Sequence, residues 1–253
     1  MAFIEIIGFP GSGKTYLFKK ITNVIDKKKI KVLRNDKYFF DYFEKNFLDK
    51  VLFNSFYKYK INKKFYSKYI FHKQYKFLSN EINLIIKKKK LSKIFTVFKK
   101  LLQNSKLNKI GKERALDNFR IDLCTYYLEE KLNKRIIIND EGLLQKIFMI
   151  YREKDNYITI KKKINEYLKL IPMPDFVILL DVNKDLCFER ASLRKNGFIY
   201  EKKNKKKLLS LFIKIMQNIE KILKKNKIKV ITINENQVNK KTILKITNNI
   251  LKI

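Results

Sequence analysis

Residues 8–15 read Gly-Phe-Pro-Gly-Ser-Gly-Lys-Thr and match the pattern G-x-x-x-x-G-K-[ST] at every fixed position. Glycines let such a loop curl until successive backbone N–H groups point inward, where they can bind phosphate oxygens. A helix that begins at the end of the loop adds the positive end of its dipole. The loop residues that would surround a phosphate chain are Gly8, Pro10, Gly11, Ser12 and Gly13. The sequence therefore predicts a nucleoside triphosphate site near the start of the chain.

Two residues at the end of this loop, and two more from elsewhere in the chain, would complete the site. Lys14 can reach the β- and γ-phosphates, and the hydroxyl of Thr15 can bind Mg²⁺. A second ligand is expected at the end of a neighbouring strand, and Asp140 follows the apolar run 135–139. We assign Asp140 to the Mg²⁺ site and Glu141 to the general base or a contact with a substrate hydroxyl. The two carboxylates could exchange these roles.

The elements that position these groups are read from the spacing of apolar residues. Five short apolar runs predict strands over residues 2–7, 30–33, 135–139, 176–181 and 228–233. Helical spacing predicts helices over residues 14–25, 113–132, 143–152, 159–170, 184–194, 204–225 and 239–251. Strands that alternate with helices are typical of a parallel sheet covered on both faces. The sequence therefore predicts an α/β fold with three layers, α/β/α.

A long segment after the second strand does not fit this alternation. Residues 38–110 are rich in aromatic residues and lysine, and an apolar stripe over residues 91–102 indicates a helix. We interpret the segment as a helical insertion.

The charge of the chain raises the question of a nucleic-acid partner. The 253 residues include 59 Lys and Arg against 24 Asp and Glu, which gives a net charge of +35. Only seven of the basic residues are arginines, although the planar guanidinium is the group preferred for recognising phosphates and bases. The lysines are spread along the whole chain, as expected for a solvated surface. A nucleic-acid partner is left open but is not favoured.

Composition excludes several other classes of protein. The hydrophobic fraction of 45% is ordinary for a folded domain, so global disorder is not expected. No apolar run approaches the ~18 residues of a membrane-spanning helix. Two cysteines and one histidine are too few for a Cys/His zinc site or a disulfide framework. The chain enters an apolar run at once, without a basic leader, which favours a cytoplasmic protein over a secreted one.

Four stretches together resemble the P-loop nucleoside and nucleotide kinases, and the thymidylate kinases in particular. They are residues 8–15, 119–142, 174–201 and 229–236. The resemblance implies strand order 2-3-1-4-5 and transfer of the γ-phosphoryl group of ATP, with Mg²⁺, to a small acceptor. It also implies one kinase domain over residues 1–253, with an acceptor-binding insertion at about 38–112 and a lid at about 188–204.

The resemblance also implies roles for three arginines. Arg190 and Arg194 correspond to lid arginines, which would offset the negative charge of the group in transfer. Arg120 stands where the family has an arginine that binds the phosphate or hydroxyls of the acceptor.

Two departures from the thymidylate kinase pattern leave the acceptor undetermined. Asp140-Glu141-Gly142 stands where those enzymes have Asp-Arg. Residues 34–38 replace a Glu-Pro element and resemble the Asp-x-x-Tyr region of uridine-kinase-like enzymes, whose Asp contacts an acceptor hydroxyl. The substrate-binding candidates in this segment are Arg34, Asp36 and Tyr38. A nucleoside, a nucleotide, a sugar or another small hydroxyl compound fits equally well.

Other classes of protein remain as alternatives. They are a polynucleotide kinase, an ATP-binding protein without transfer activity and a regulatory GTPase. The GTPase is the weakest, because Asn183-Lys184-Asp185 is one residue shorter than the guanine-reading pattern. A homodimer is also left open.

Overall fold

The computed structural model describes residues 2–27, 32–34, 83, 86–87, 91–105, 107–128, 136–150, 156–193, 205–234 and 238–252. Within these ranges, five parallel strands form one sheet in the order β2-β3-β1-β4-β5. The strands are β1 (Ala2–Gly8), β2 (Val32–Arg34), β3 (Ile136–Asn139), β4 (Phe176–Asp181) and β5 (Lys229–Asn234). The predicted fold class and the predicted strand order are both confirmed.

Helices flank this sheet, and their order along the chain follows the predicted alternation. The described α-helices are α1 (Lys14–Lys27), α2 (Ser92–Gln103), α3 (Lys109–Leu128), α4 (Tyr157–Leu168), α5 (Lys184–Ser192), α6 (Lys205–Lys225) and α7 (Lys240–Ile250). Helices α1 and α7 pack against each other, whereas α2, α3, α4, α5 and α6 form a second connected group. No helix in the described ranges is both long and apolar enough to cross a membrane.

Strand β1 is the centre of the sheet and is buried along its whole length. It lies between β3 and β4, so both of its edges are paired and both of its faces are covered. Its start is fixed by Asp175, whose carboxylate accepts a hydrogen bond from the backbone N–H of Phe3 at 2.8 Å. The N–H of Asp175 donates in return to the carbonyl of Phe3 at 2.9 Å. This pair of bonds sets where β4 begins beside β1.

Three helices begin at an asparagine whose side chain accepts hydrogen bonds from the first turn. Asn156, Asn183 and Asn239 cap α4, α5 and α7 in this way. Such a cap stabilises a helix by about 1 kcal/mol. The segment Asn183-Lys184-Asp185, which is similar to the guanine-reading pattern, forms such a cap. The side chain of Asn183 accepts hydrogen bonds from the N–H groups of Asp185 and Leu186.

The predicted apolar stripe over residues 91–102 is part of the core. Phe98 of α2 is fully buried and stacks on Phe119 of α3 with ring centroids 4.0 Å apart. Tyr167 of α4 packs against both rings. Burial of one such side chain stabilises a fold by about 1.5–3 kcal/mol. The described end of the predicted insertion therefore belongs to the main body of the domain.

Some predicted boundaries are wrong. Of the helix predicted over residues 143–152, the described residues 143–150 contain a short 3-10 helix, Gln145–Met149. Helix α3 begins at Lys109, four residues before the predicted start. Residues 38–82 of the predicted insertion and residues 194–204 of the predicted lid lie outside the described residues.

Candidate functional site

The loop between β1 and α1 has the conformation that its glycines predict. Gly11 and Gly13 have φ angles of +88° and +90°, a region that other residues rarely adopt. The N–H of Ser12 donates to the carbonyl of Phe9 at 3.0 Å and closes the turn. Helix α1 begins directly after Gly13, so its positive end faces the loop. The described backbone is therefore curled at the start of a helix, as a phosphate-binding loop requires.

The loop packs closely against its surroundings at two of its three glycines. A Cβ on Gly11 would collide with the backbone carbonyl of Cys187 in α5. A Cβ on Gly8 would lie 2.8 Å from the hydroxyl oxygen of Ser12 and 3.0 Å from the carbonyl oxygen of Leu180. A Cβ on Gly13 would meet no atom within 4 Å. Gly13 thus borders the open side of the loop, and the other two glycines border packed backbone.

Lys14 lies folded back over the loop. Its ammonium group donates hydrogen bonds to the carbonyl of Gly8 at 3.2 Å and to that of Phe9 at 3.1 Å. The side chain is 8% exposed. The hydroxyl of Ser12 is buried and has no hydrogen-bond partner among the described residues. A cationic group and a hydroxyl are therefore concentrated where the loop curls.

The structure brings the predicted metal ligands together across 125 residues of sequence. The hydroxyl of Thr15 donates a 2.7 Å hydrogen bond to Oδ2 of Asp140, which is almost fully buried. Asp140 follows β3, which runs parallel to β1, so both strands have their carboxyl ends at the same edge of the sheet. Hydroxyl and carboxylate oxygens are the donors that Mg²⁺ prefers. The residues present fit a Mg²⁺ site that also uses phosphate oxygens and water.

Residues 140–142, Asp-Glu-Gly, follow β3 and are called the acidic loop below. Glu141 is exposed, and its backbone N–H donates to the side-chain carbonyl of Asn139 at 3.0 Å. Between the two carboxylates whose roles the sequence left open, Asp140 is the one that contacts the loop 8–15, through Thr15.

A buried polar network beneath this loop was not predicted. Glu5 in the middle of β1 is 0% exposed and accepts hydrogen bonds from the N–H groups of Leu143 and Leu144, each at 2.9 Å. The hydroxyl of Tyr126 donates to the same carboxylate at 3.0 Å. Burial raises the pKa of Glu5 to about 7, although the hydrogen bonds from Leu144 and Tyr126 oppose the shift. A lone glutamate within an otherwise apolar strand is the sequence feature that could have indicated this network.

Four further polar side chains join the network. Lys146, 2% exposed, forms an ion pair with Asp122 at 3.0 Å and donates to the carbonyl of Glu141 at 2.7 Å. The amide group of Asn139 donates to Asp122 at 3.2 Å. Gln145 accepts a hydrogen bond from the N–H of Gly8 at 3.2 Å and so connects the same segment to the loop 8–15.

The structure describes only some of the residues expected in the lid and around the acceptor. The guanidinium of Arg120 lies over the ring of Phe95 at 4.6 Å and 3.6 Å from the carboxylate of Asp117. Arg190 is exposed in the last turn of α5. Arg34 ends β2. Asp36, Tyr38 and Arg194 lie outside the described residues.

Comparison with models of known protein families shows which family the chain belongs to. The model of the family described as thymidylate kinase matches residues 73–243, about two thirds of the chain. The chain belongs to the thymidylate kinase family. It is accordingly one of the nucleotide kinases, a group of phosphotransferases. The matched residues include the acidic loop at Asp140, the ion pair beneath it and Arg190, whereas the loop 8–15 precedes them.

Solved structures with a distant likeness include other small-molecule kinases. A deoxyadenosine kinase from M. mycoides with bound dCTP is 16% identical, with 99% of this chain and 100% of that chain covered and a TM-score of 0.44. A shikimate kinase from Bacteroides thetaiotaomicron is 14% identical, with 99% and 97% covered and a TM-score of 0.36. No curated protein matches the chain significantly. At these TM-scores the structural likeness adds no argument to the family match.

Proposed function

We propose that this member of the thymidylate kinase family is an ATP-dependent, Mg²⁺-dependent kinase. It would transfer the γ-phosphoryl group of ATP to a nucleoside, a nucleotide or a related small acceptor. The observation that carries the proposal is the contact between Thr15 and Asp140 at the mouth of a loop that is curled at the start of a helix. The contact joins a triphosphate-binding element to a metal-binding carboxylate.

The phosphates would lie on the open side of the loop, beside Gly13. Backbone N–H groups and the N-terminus of α1 would bind the phosphate oxygens. The ammonium group of Lys14, which now donates to two carbonyls of the loop, would turn to the β- and γ-phosphates. The unpartnered hydroxyl of Ser12 supports this placement, because a buried hydroxyl is stabilised by a hydrogen-bonding partner.

Thr15 and Asp140 would hold Mg²⁺, which would neutralise charge on the phosphates and orient them. Sets of three or more clustered His, Cys, Asp or Glu are absent from the described ranges. That result fits Mg²⁺, which is commonly held by one or two carboxylates together with substrate phosphates and water.

The remaining residues would bind and align the acceptor. Glu141, exposed beside Asp140, could take the proton of an acceptor hydroxyl. Arg190 and Arg194 would stabilise the charge of the group in transfer. The acceptor would be bound by Arg120, Arg34, Asp36 and Tyr38.

Arg120 has the clearest structural support among these acceptor-binding residues. Its Nε atom is buried without a hydrogen-bond partner in the described part of the chain. The domain arrangement that we propose is one kinase domain over residues 1–253, with the acceptor-binding segment at 38–112 and the lid at 188–204.

The test is a coupled assay of ADP formation with Mg·ATP and a panel of nucleosides, nucleotides and sugars. Lys14→Ala should lower turnover by about 100-fold or more, because a cationic group facing the phosphates is lost. Lys19→Ala is the matched control, since Lys19 is an exposed lysine of the same helix. Equal activity of the wild type and Lys14→Ala would refute the assignment.

The same assay with oligonucleotides added to the panel, together with calorimetry, separates the alternatives. Phosphorylation of oligonucleotides alone would indicate a polynucleotide kinase. Binding of Mg·ATP by calorimetry, without transfer to any acceptor, would indicate an ATP-binding protein.

A further inference from the structure

A carboxylate in the middle of the central strand needs a physical reason. Glu5 is fully buried, and β1 is paired on both edges. Burying an ionisable group in a protein core is unfavourable unless other groups compensate it. An apolar residue at this position would stabilise the sheet more, so the contacts of Glu5 must account for its presence.

Glu5 binds the chain directly after the acidic loop. Its Oε1 accepts from the N–H of Leu143 and its Oε2 from the N–H of Leu144, both at 2.9 Å. A Cβ on Gly142 would collide with the carboxylate, so the loop lies directly against it. The two oxygens of one rigid group therefore fix two successive peptide units, three and four residues after Asp140.

The other contacts of this segment point to the same use. Lys146 binds the carbonyl of Glu141, and the side chain of Asn139 binds its N–H. Both side chains are in turn fixed by Asp122. The backbone on either side of Asp140 is thus held by buried polar groups, and Glu5 is the one that comes from β1, the strand that leads into the phosphate-binding loop.

We propose that Glu5 is a positioning residue, which directs the carboxylate of Asp140 toward Thr15 by holding residues 142–144. The inference rests on the proposed role of Asp140 in Mg²⁺ binding. Glu5 touches neither the nucleotide nor the metal in this scheme. Its effect is on the affinity for Mg²⁺, through the orientation of a ligand.

The test compares Glu5→Gln with Tyr126→Phe. Glutamine has the same size, but its amide group must face an N–H donor at one of the two positions, so one bond to the loop is lost. Tyr126→Phe removes a hydrogen bond to the same carboxylate without touching the loop. We expect the Mg²⁺ concentration for half-maximal activity to rise about 10-fold in Glu5→Gln and to stay within about twofold in Tyr126→Phe.

Hydrogen exchange gives a readout that does not depend on activity. The amides of Leu143 and Leu144 should exchange faster in Glu5→Gln than in the wild type, with the rest of the sheet unchanged. If Glu5 were only part of the core, both variants would lower the unfolding temperature and leave the Mg²⁺ dependence unchanged, and that result would overturn the inference.

A second variant covers the case in which Glu5→Gln does not fold. Gly142→Ala pushes the loop away from an intact carboxylate and should raise the Mg²⁺ requirement in the same direction. An unchanged requirement there would also count against the inference. If the wild type transferred no phosphoryl group, the proposed function would fail, whereas protection of the two amides would still report whether Glu5 holds the loop.

Discussion

Replacing Gly11 and Gly13 separately by alanine tests the phosphate-binding loop, because the two residues have the same backbone angle in different surroundings. Their φ angles are +88° and +90°, so an alanine at either place carries the same strain, about 1–2 kcal/mol. Only at Gly11 does the new Cβ collide with packed backbone, the carbonyl of Cys187. Overpacking of this kind costs a further 1–3 kcal/mol or so.

The two variants should therefore differ in stability without nucleotide. For a chain of this size about 1 kcal/mol corresponds to roughly 2–4 °C in unfolding temperature. The extra 1–3 kcal/mol should place Gly11→Ala about 2–12 °C below Gly13→Ala. Thermal unfolding followed by circular dichroism measures this difference.

The rise in unfolding temperature on addition of Mg·ATP should distinguish Gly13→Ala from the wild type. At about 100 times its dissociation constant, a ligand stabilises the wild type by about 2.7 kcal/mol, or roughly 5–11 °C. In Gly13→Ala the methyl group would occupy the open side of the loop, where we place the phosphates, and this stabilisation should disappear. Equal unfolding temperatures of the two variants without nucleotide, or a full nucleotide shift in Gly13→Ala, would refute the reasoning.

Three further predictions concern charge and thiol chemistry. Asp140→Asn should raise the Mg²⁺ requirement about 10-fold or more, because the carboxylate that we propose as a Mg²⁺ ligand beside Thr15 becomes neutral. Titration of activity with Mg²⁺ measures this change, and Glu141→Gln should leave the requirement unchanged. The folded-state pKa of Glu5, about 7, lies above its ordinary value of 4.5, so the fold binds a proton more tightly than the unfolded chain. The protonated carboxyl group of Glu5 contributes about 3 kcal/mol to the free energy of unfolding below about pH 4.5, and this contribution is lost as the pH rises through 7. Urea unfolding should show the loss in the wild type and not in Glu5→Gln. An equal pH dependence of the two proteins would contradict the prediction. Cys124 and Cys187 are buried, and burial raises the pKa of Cys124 to about 12. Neither thiol should therefore react with a thiol reagent at pH 8 until denaturant is added. Fast labelling of the native protein would show that the helices α3 and α5 are packed differently.

The sequence by itself determined the parts of this protein whose physics is local. The strand 176–181 was predicted with its observed bounds, because an unbroken apolar run follows two prolines and ends at a charged residue. The loop 8–15 was predicted because glycine spacing alone decides whether a backbone can adopt positive φ angles at the start of a helix. The stripe over residues 91–102 placed α2 correctly for the same kind of reason, a repeat that matches one helical turn.

Only the tertiary structure decided which of these parts meet. The hydrogen bond from Thr15 to Asp140 depends on the register of β1 and β3, which no local pattern encodes. The predicted α-helix after Gly142 is instead a 3-10 helix, Gln145–Met149, and the N–H groups that precede it bind Glu5, more than 130 residues earlier in the chain. A buried carboxylate acts through the groups that surround it, and those groups are brought together by the sheet rather than by the chain.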